Sequence, residues 1–325
     1  MNILSVFDGM SCGRIALDRV GIEYDNYYAS EIDKYAIQVA QKNYPDTIQL
    51  GDVTELKAET LPEIDLLIGG SPCQGFSLAG KKLNFDDPRS ALFFEFVRLL
   101  EELEPKYFLL ENVKMKKEWE DVITKYLEVS PIEINSALVS AQNRKRLYWT
   151  NIPYKENPRD KGIMLQDILE QDATEPMLSN IYGGFKEKKP RVHYDKSVTL
   201  RTPAGGGHIP SVAIGGAFRS RRNKAQIRKK GKGKQLETRS DMKSNCLTSV
   251  QTDSVAVFDN ICYRKLTPLE CERLQTVPDN YTEGVSNTQR YKMLGNGWTI
   301  DVIAHLFKGI HSGEIKKPNP IQLTL

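Results

Sequence analysis

The feature that most constrains this chain is an alternation in its first third. Apolar runs of strand length, Asn2 to Phe7, Tyr27 to Ser30, Asp65 to Ile68 and Lys106 to Leu110, are separated by stretches of helical spacing, Arg14 to Val20, Lys34 to Asn43 and Arg89 to about Glu104. Ile48 to Leu50 reads as a further short strand. Strand, helix, strand, helix, strand in that order folds as a doubly wound parallel sheet, with its ligand across the carboxyl ends of the strands. The expected class is α/β.

Chemistry-bearing residues stand at those ends. Asp65 to Ile68 is closed by Gly69 and Gly70 and runs into Ser-Pro-Cys-Gln-Gly-Phe. Pro72 disfavours a helical backbone at Ser71 and forces an extended turn. Cys73 is thereby expected on a tight loop just past a strand, a fixed and accessible position that suits a nucleophile. A free Cys is more often a small buried hydrophobe, but a core residue needs no such loop. The polar segment Ser77 to Asp87 behind it, hinged by Gly75 and Gly80, reads as a lid or as a plain surface connection.

The first strand runs into Asp8-Gly-Met-Ser-Cys-Gly13, a glycine-bearing turn before a helix. Such a turn receives nucleotide-like ligands, although its spacing also fits an ordinary strand-to-helix connection. Glu31 lies about twenty residues on at a strand end, as an acceptor for ribose hydroxyls does. Asp33 is placed to cap the next helix. Asp52, after Gly51 and before Val53, is another strand-end acceptor, placed for an amino group on an adenine. Glu111 follows four apolar residues at the same sheet edge as Cys73 and is a candidate proton donor. Two further strands, Ile132 to Val139 and Leu147 to Ile152, flank Gln142-Asn-Arg-Lys-Arg146. Alternation would put Gln142, Arg144 and Arg146 on one face, where two guanidiniums can hold a base edge and a carboxylate.

From about Glu156 to Asn260 the texture changes to short apolar runs broken by Gly, Pro, Ser and Thr, read as a smaller β-rich or irregular domain. It carries nine Lys or Arg and no acid between Arg219 and Lys234, either a solvated charged loop or an electrostatic footprint for phosphates. Few aromatics accompany them, which favours contact with a duplex backbone over single-strand stacking. Beyond it, Thr267, Pro268 and Glu270 spell a capped helix start. Gly295-Asn-Gly-Trp298 reads as a loop before a helix from Thr299 to about Lys308. The division expected is 1–155, 156–260 and 261–325, the last returning to the first.

Composition excludes several classes. There is no apolar stretch long enough for a membrane span and no basic, apolar, cleavable start, so a cytoplasmic protein is expected, on the nucleoid if bacterial or viral. Five Cys without a CxxC pair argue against a disulfide framework and a Cys-based zinc site. A net charge of +3 over 325 residues does not by itself imply a polyanionic partner.

Taken in order, the Phe7 to Gly13 turn, Glu31, Gly51-Asp52-Val53, Gly70-Ser-Pro-Cys-Gln74, Glu111-Asn112-Val113, Gln142-x-Arg144-x-Arg146, Arg264 to Gln275 and Gly295-Asn-Gly297 resemble the motifs of the DNA (cytosine-5)-methyltransferases across essentially the whole chain. The chain departs in its sparser first glycine turn, in Gly-Asn-Gly-Trp for the commoner Gly-Asn-Ser-Val, and in a short recognition region. The resemblance implies a Rossmann-like methyltransferase sheet with 156–260 as target recognition domain. It implies S-adenosyl-L-methionine as cofactor, S-adenosyl-L-homocysteine as product, and no metal. It assigns catalysis to Cys73, Glu111, Arg144 and Arg146, with Arg146 at the base O2. It assigns cofactor contact to Phe7, Gly9, Ser11, Gly13, Glu31, Ile32, Asp52, Val53, Pro72, Asn296 and Trp298. In the implied reaction Cys73 attacks C6 of a flipped-out cytosine, C5 is methylated, and the thiolate leaves. Double-stranded DNA is the implied partner, with a cognate restriction endonuclease where the enzyme serves a restriction-modification system; a monomer is expected. Two alternatives stand beside it. One is methylation of transfer RNA, against which the Cys-Phe-Thr motif of that branch is absent. The other is a non-catalytic DNA-binding paralogue, against which Pro72-Cys73 and Glu111-Asn112-Val113 are intact.

Overall fold

In the computed structural model, residues 1–71, 88–170 and 262–312 are described, together with strand segments at 177–179, 191–193, 214–219, 235–238 and 255–258. Seven strands form one sheet: β1 (Asn2–Val6), β2 (Asn26–Ser30), β3 (Ile48–Gln49), β4 (Leu66–Gly69), β5 (Tyr107–Val113), β6 (Ile132–Asn135) and β7 (Lys145–Thr150). Their order is β3-β2-β1-β4-β5-β7-β6. β1 to β5 pair in parallel, and β7 lies antiparallel between β5 and β6. The chain runs outward from β1 to β3, then restarts on the other side of β1 at β4. The connections therefore diverge between β1 and β4, which opens a crevice at their carboxyl ends.

Both faces of the sheet are buried, and the period of two shows it. Ile3, Leu66, Ile68, Tyr107 and Leu109 enter one core cluster. Their neighbours Leu4, Val6, Leu67, Phe108 and Leu110 enter the other. This is why the strands read as continuous apolar runs. The first face is covered by α1 (Cys12–Val20), α2 (Lys34–Asn43) and the late helices; the second by α3 (Pro88–Leu103) and α4 (Lys117–Leu127). The late helices are α5 (Pro268–Leu274), α6 (Asn287–Asn296) and α7 (Ile300–Phe307). The C-terminal part thus packs on the sheet that the N-terminal part builds.

Five of the six strands β8 (Met177–Ser179), β9 (Arg191–His193), β10 (Ile214–Arg219), β11 (Gln235–Thr238), β12 (Val255–Phe258) and β13 (Cys262–Lys265) lie across the Gly-rich and basic stretch, and β13 follows it. They form an antiparallel sheet of order β11-β10-β12-β13-β8-β9. No helix among the described residues is long and apolar enough to cross a membrane.

Several boundaries differ from the sequence reading. β5 runs on to Val113 because β7 pairs with it from Leu109↔Thr150 to Val113↔Arg146. Glu111 and Asn112 are therefore inside a strand, yet one and two residues beyond the last β4 pair, Gly69↔Leu110. β6 stops at Asn135, whose Oδ1 accepts from Ala137 N (3.2 Å) and Arg144 N (3.0 Å) and turns the chain. Gly295 and Asn296 form the last turn of α6 rather than a loop. The expected Thr267 cap is present: Oγ1 accepts from Glu270 N (3.2 Å), and Glu270 Oε2 accepts from Thr267 N (2.8 Å). Thr267→Ala should lower stability by about 1 kcal/mol in urea unfolding; an unchanged midpoint would show that this box adds nothing.

Candidate active site

A cavity of about 520 Å³ opens at the carboxyl ends of β1, β2, β4 and β5. Its size is that of a small-molecule site. Of the residues read from the sequence, Phe7, Gly9, Glu31, Ile32, Asp52, Val53, Glu111, Arg144, Arg146, Asn296 and Trp298 all line it. They come from every part of the described sheet edge and from the α6–α7 connection.

At one end Glu31 is a fixed acceptor. Its carboxylate accepts from Gly9 N, Ile32 N and Asp33 N, each at 2.8 Å. Asp52 Oδ1 accepts from Thr54 N at 3.0 Å and Thr54 Oγ1 at 2.9 Å. Ile32, 73% exposed, offers an apolar side chain at the rim. Phe7 and Ser11 hold φ of 58° and 63°, a left-handed conformation that non-glycine residues adopt only when their surroundings impose it. Two held carboxylates with apolar side chains between them suit a hydroxylated sugar and a planar base.

Ser11 and Gly13, assigned to cofactor contact by the resemblance, are not among the residues lining the cavity. Ser11 is fully buried and its hydroxyl donates to Asp8 Oδ2 at 2.6 Å. Gly13 lies under α1 against Ile68 and Tyr27, where a Cβ would have no room. Both support the wall from behind because helix and sheet approach closely there. Pro72, Cys73 and the segment Ser77 to Asp87 lie outside the described residues, as do 220–234 of the basic run.

The sequence reading missed Asp8 as a wall residue. Its Oδ1 accepts from Tyr27 OH at 2.7 Å and Oδ2 from Ser11. Burial, only partly offset by hydrogen bonds from Ser11, Ser5 and Tyr27, pushes its carboxyl up to about 6. Its position directly after Phe7, ahead of the turn glycine, was the available signal. Cys12 also lines the cavity, but burial pushes its thiol up to about 12, so it is protonated at neutral pH and a poor nucleophile.

At the other end Glu111 is buried between two donors. Arg146 Nε stands 2.9 Å from Oε1, and Trp298 Nε1 donates to Oε2 at 3.2 Å. Asn112 Nδ2 donates to Ser71 Oγ at 3.1 Å and reaches Ser71 O at 3.4 Å. This ties the chain leaving β4 to the strand that carries Glu111. Arg144 and Arg146 both line the cavity, with different partners among the described residues. β7 begins only at Lys145, so strand alternation does not govern Arg144. Its guanidinium turns to Gly297 O (2.9 Å) and Gly295 O (3.2 Å). Gln275 Nε2 reaches Leu294 O (2.7 Å) and Gly297 O (3.1 Å), and Gln142 Nε2 reaches Leu274 O (3.1 Å). The Gln142 to Arg146 and Arg264 to Gln275 motifs thus meet at the end of α6, beside the connection that carries Trp298.

A family model described as C-5 cytosine-specific DNA methylase matches residues 1–312. The chain is 31% identical over 318 residues to the type II methyltransferase M1.ScrFI of Lactococcus lactis subsp. cremoris, covering 93% of this chain and 75% of that one. It is 27% identical to the orphan methyltransferase M.SPRI of Bacillus phage SPR, over 98% and 99% of the two chains. Among solved structures, the Entamoeba histolytica methyltransferase EhMeth superposes with a TM-score of 0.64 at 16% identity, covering 96% and 98%.

The Asp8 site has a pH consequence. An unfolded Asp titrates near 3.8 and this one about 6, so between those values the native state holds the extra proton. That stability is present below the lower value and is lost as pH rises through the higher one, by about 3 kcal/mol. Asp8→Asn should remove this component. Denaturant unfolding of both proteins from pH 4 to 7 checks it; parallel stability curves would contradict it.

Proposed function

The chain belongs to the C-5 cytosine-specific DNA methylase family, and from that premise we propose that it methylates C5 of a flipped-out cytosine in duplex DNA through a covalent bond from Cys73. The observation that carries this reading is Glu111, held at the β5 tip over the cavity, with Asn112 binding Ser71. Cys73 follows Ser71 by two residues, a span of about 7 Å of extended chain.

S-adenosyl-L-methionine matches the cavity lining: Glu31 would accept from the ribose hydroxyls and Asp52 from the adenine amino group, Phe7, Ile32 and Val53 would meet the apolar faces, and Gly9, Asn296 and Trp298 would run along the methionine end; Pro72, assigned to the same set by the resemblance, lies outside the described residues. When bound, that cofactor supplies an electrophilic methyl group on sulfur. The chain's own residues do the rest. The Cys73 thiolate adds to C6, breaking the ring's aromaticity and pushing electron density onto C5. Glu111 gives a proton to N3 as negative charge develops there. Arg146 holds O2, and Arg144 braces the end of α6 beside the connection that carries Trp298. Once C5 is methylated it loses its proton, the C6–S bond breaks, and 5-methylcytosine leaves.

We take 156–260 as the target recognition domain, between the catalytic parts 1–155 and 261–325. Its basic run would contact duplex phosphates, and with the Ser77 to Asp87 lid it would offset a base-flipping cost of roughly a few kcal/mol. Such an enzyme works in the cytoplasm where the DNA is. Its relatives carry both type II and orphan names, so a cognate restriction endonuclease is an expectation for the type II case alone.

Cys73→Ala should abolish transfer of tritiated methyl groups to duplex DNA, a loss of at least about a thousandfold; undiminished transfer eliminates the mechanism. In competition, duplex DNA should displace transfer RNA. Preferential methylation of transfer RNA would reassign the substrate while keeping the chemistry.

A further inference from the structure

Trp298 departs from the commoner residues of its motif, and the structure gives it an unexpected partner. The ring is buried on the α6–α7 connection. Its only polar atom, Nε1, donates to Glu111 Oε2. The approach depends on Gly70, where a Cβ would come within 2.9 Å of Nε1 and 3.2 Å of Oε2. Three elements therefore close on one carboxyl oxygen: the end of β4, the tip of β5 and the loop that Arg144 and Gln275 brace.

We propose that Trp298 is a positioning residue for Glu111, fixing the plane of its carboxyl group and reserving Oε1 for proton transfer. The proposal rests on the reading of Glu111 as the proton donor to the base. An indole N–H donates and never accepts, so Oε2 facing it is an acceptor in either protonation state. Oε1 faces a donor as well, Arg146 Nε, so it takes up the acid proton, from solvent, only once that donor leaves. When the guanidinium turns to the base O2, Oε1 is released. The Oε1–H bond breaks as the N3–H bond forms, and the resulting carboxylate keeps its bond from Trp298. Without the indole donor the carboxyl can rotate about its last torsion, which is soft, and present the wrong oxygen. This role is separate from cofactor contact, which the motif position alone suggests for Trp298.

Trp298→Phe keeps the ring and removes the donor. On duplex DNA it should lower kcat for methyl transfer about tenfold. This loss of kcat should exceed any weakening of the cofactor Kd by calorimetry or rise in the cofactor KM. In a Glu111→Gln background the same change should cost no more than about twofold, because the two residues act as a unit. Should Trp298→Phe fail to fold, Gly70→Ala, which pushes the indole from Oε2, should show the same loss of kcat with cofactor Kd retained. Three results overturn the proposal alone: kcat within about twofold of wild type, an equal loss in both backgrounds, or a weakened cofactor Kd with kcat retained. Methyl transfer by Glu111→Gln at the wild-type rate would instead remove Glu111 as the acid, and the proposal with it.

Discussion

The structure depends on the bond between Asn112 and Ser71. Parallel strands pair only as far as their ladders run, and β4 and β5 part company after Gly69 and Leu110. Beyond that point the two chains have opposite tasks. β5 continues, because β7 gives it a partner. The chain leaving β4 runs past the ladder through Gly70 and Ser71. The Asn112 amide crosses the gap and ties Ser71 to the continuing strand. Because the crossovers also diverge between β1 and β4, the same sheet edge opens the cavity. The cavity and the Asn112–Ser71 bond are thus set side by side by sheet topology.

The second structural theme is a buried polar brace. Gln142, Arg144 and Gln275 spend their donors on backbone carbonyls of residues 274, 294, 295 and 297. Thr299 Oγ1 donates to Gln275 Oε1 at 2.8 Å, and Ser136 Oγ donates to Thr299 Oγ1 at 2.8 Å. Buried polar groups of this kind are costly unless satisfied, and when satisfied they specify one arrangement. Here that arrangement is the end of α6 and the short connection after it, which presents Trp298 to Glu111. It joins the first and last parts of the chain through their chemistry as well as through the apolar packing of α7 on the sheet.

Much of this was legible in the sequence because the strands are buried on both faces. Continuous apolar runs ending in Glu31, Asp52 or Glu111 marked both the ladder and its carboxyl edge. Capping chemistry marked α2 and α5 through Asp33 and Thr267. What was not legible depends on pairing or on tertiary partners. The extension of β5 through Glu111 needed β7. The separate duties of Arg144 and Arg146 needed the strand to begin at Lys145. α4 is rich in charged residues and α6 has a weak apolar stripe, so neither stood out as a core-facing helix. Ser11 and Gly13 resembled ligand contacts because a tight helix–sheet approach and a ligand cradle both favour small residues. Asp8 was not legible as a wall residue because its burial depends on Tyr27 and Ser11 closing on it in three dimensions.

The central claim is that the thiol two residues past the Asn112-anchored Ser71 is the group that bonds the base. Incubation with cofactor and a duplex bearing 5-fluorocytosine, followed by denaturation, proteolysis and mass spectrometry, tests it most directly, since fluorine cannot leave C5 as a proton does. The account predicts one nucleotide adduct, on the peptide containing Cys73. An adduct on the peptide of Cys12 or Cys271, or none surviving denaturation, would contradict it.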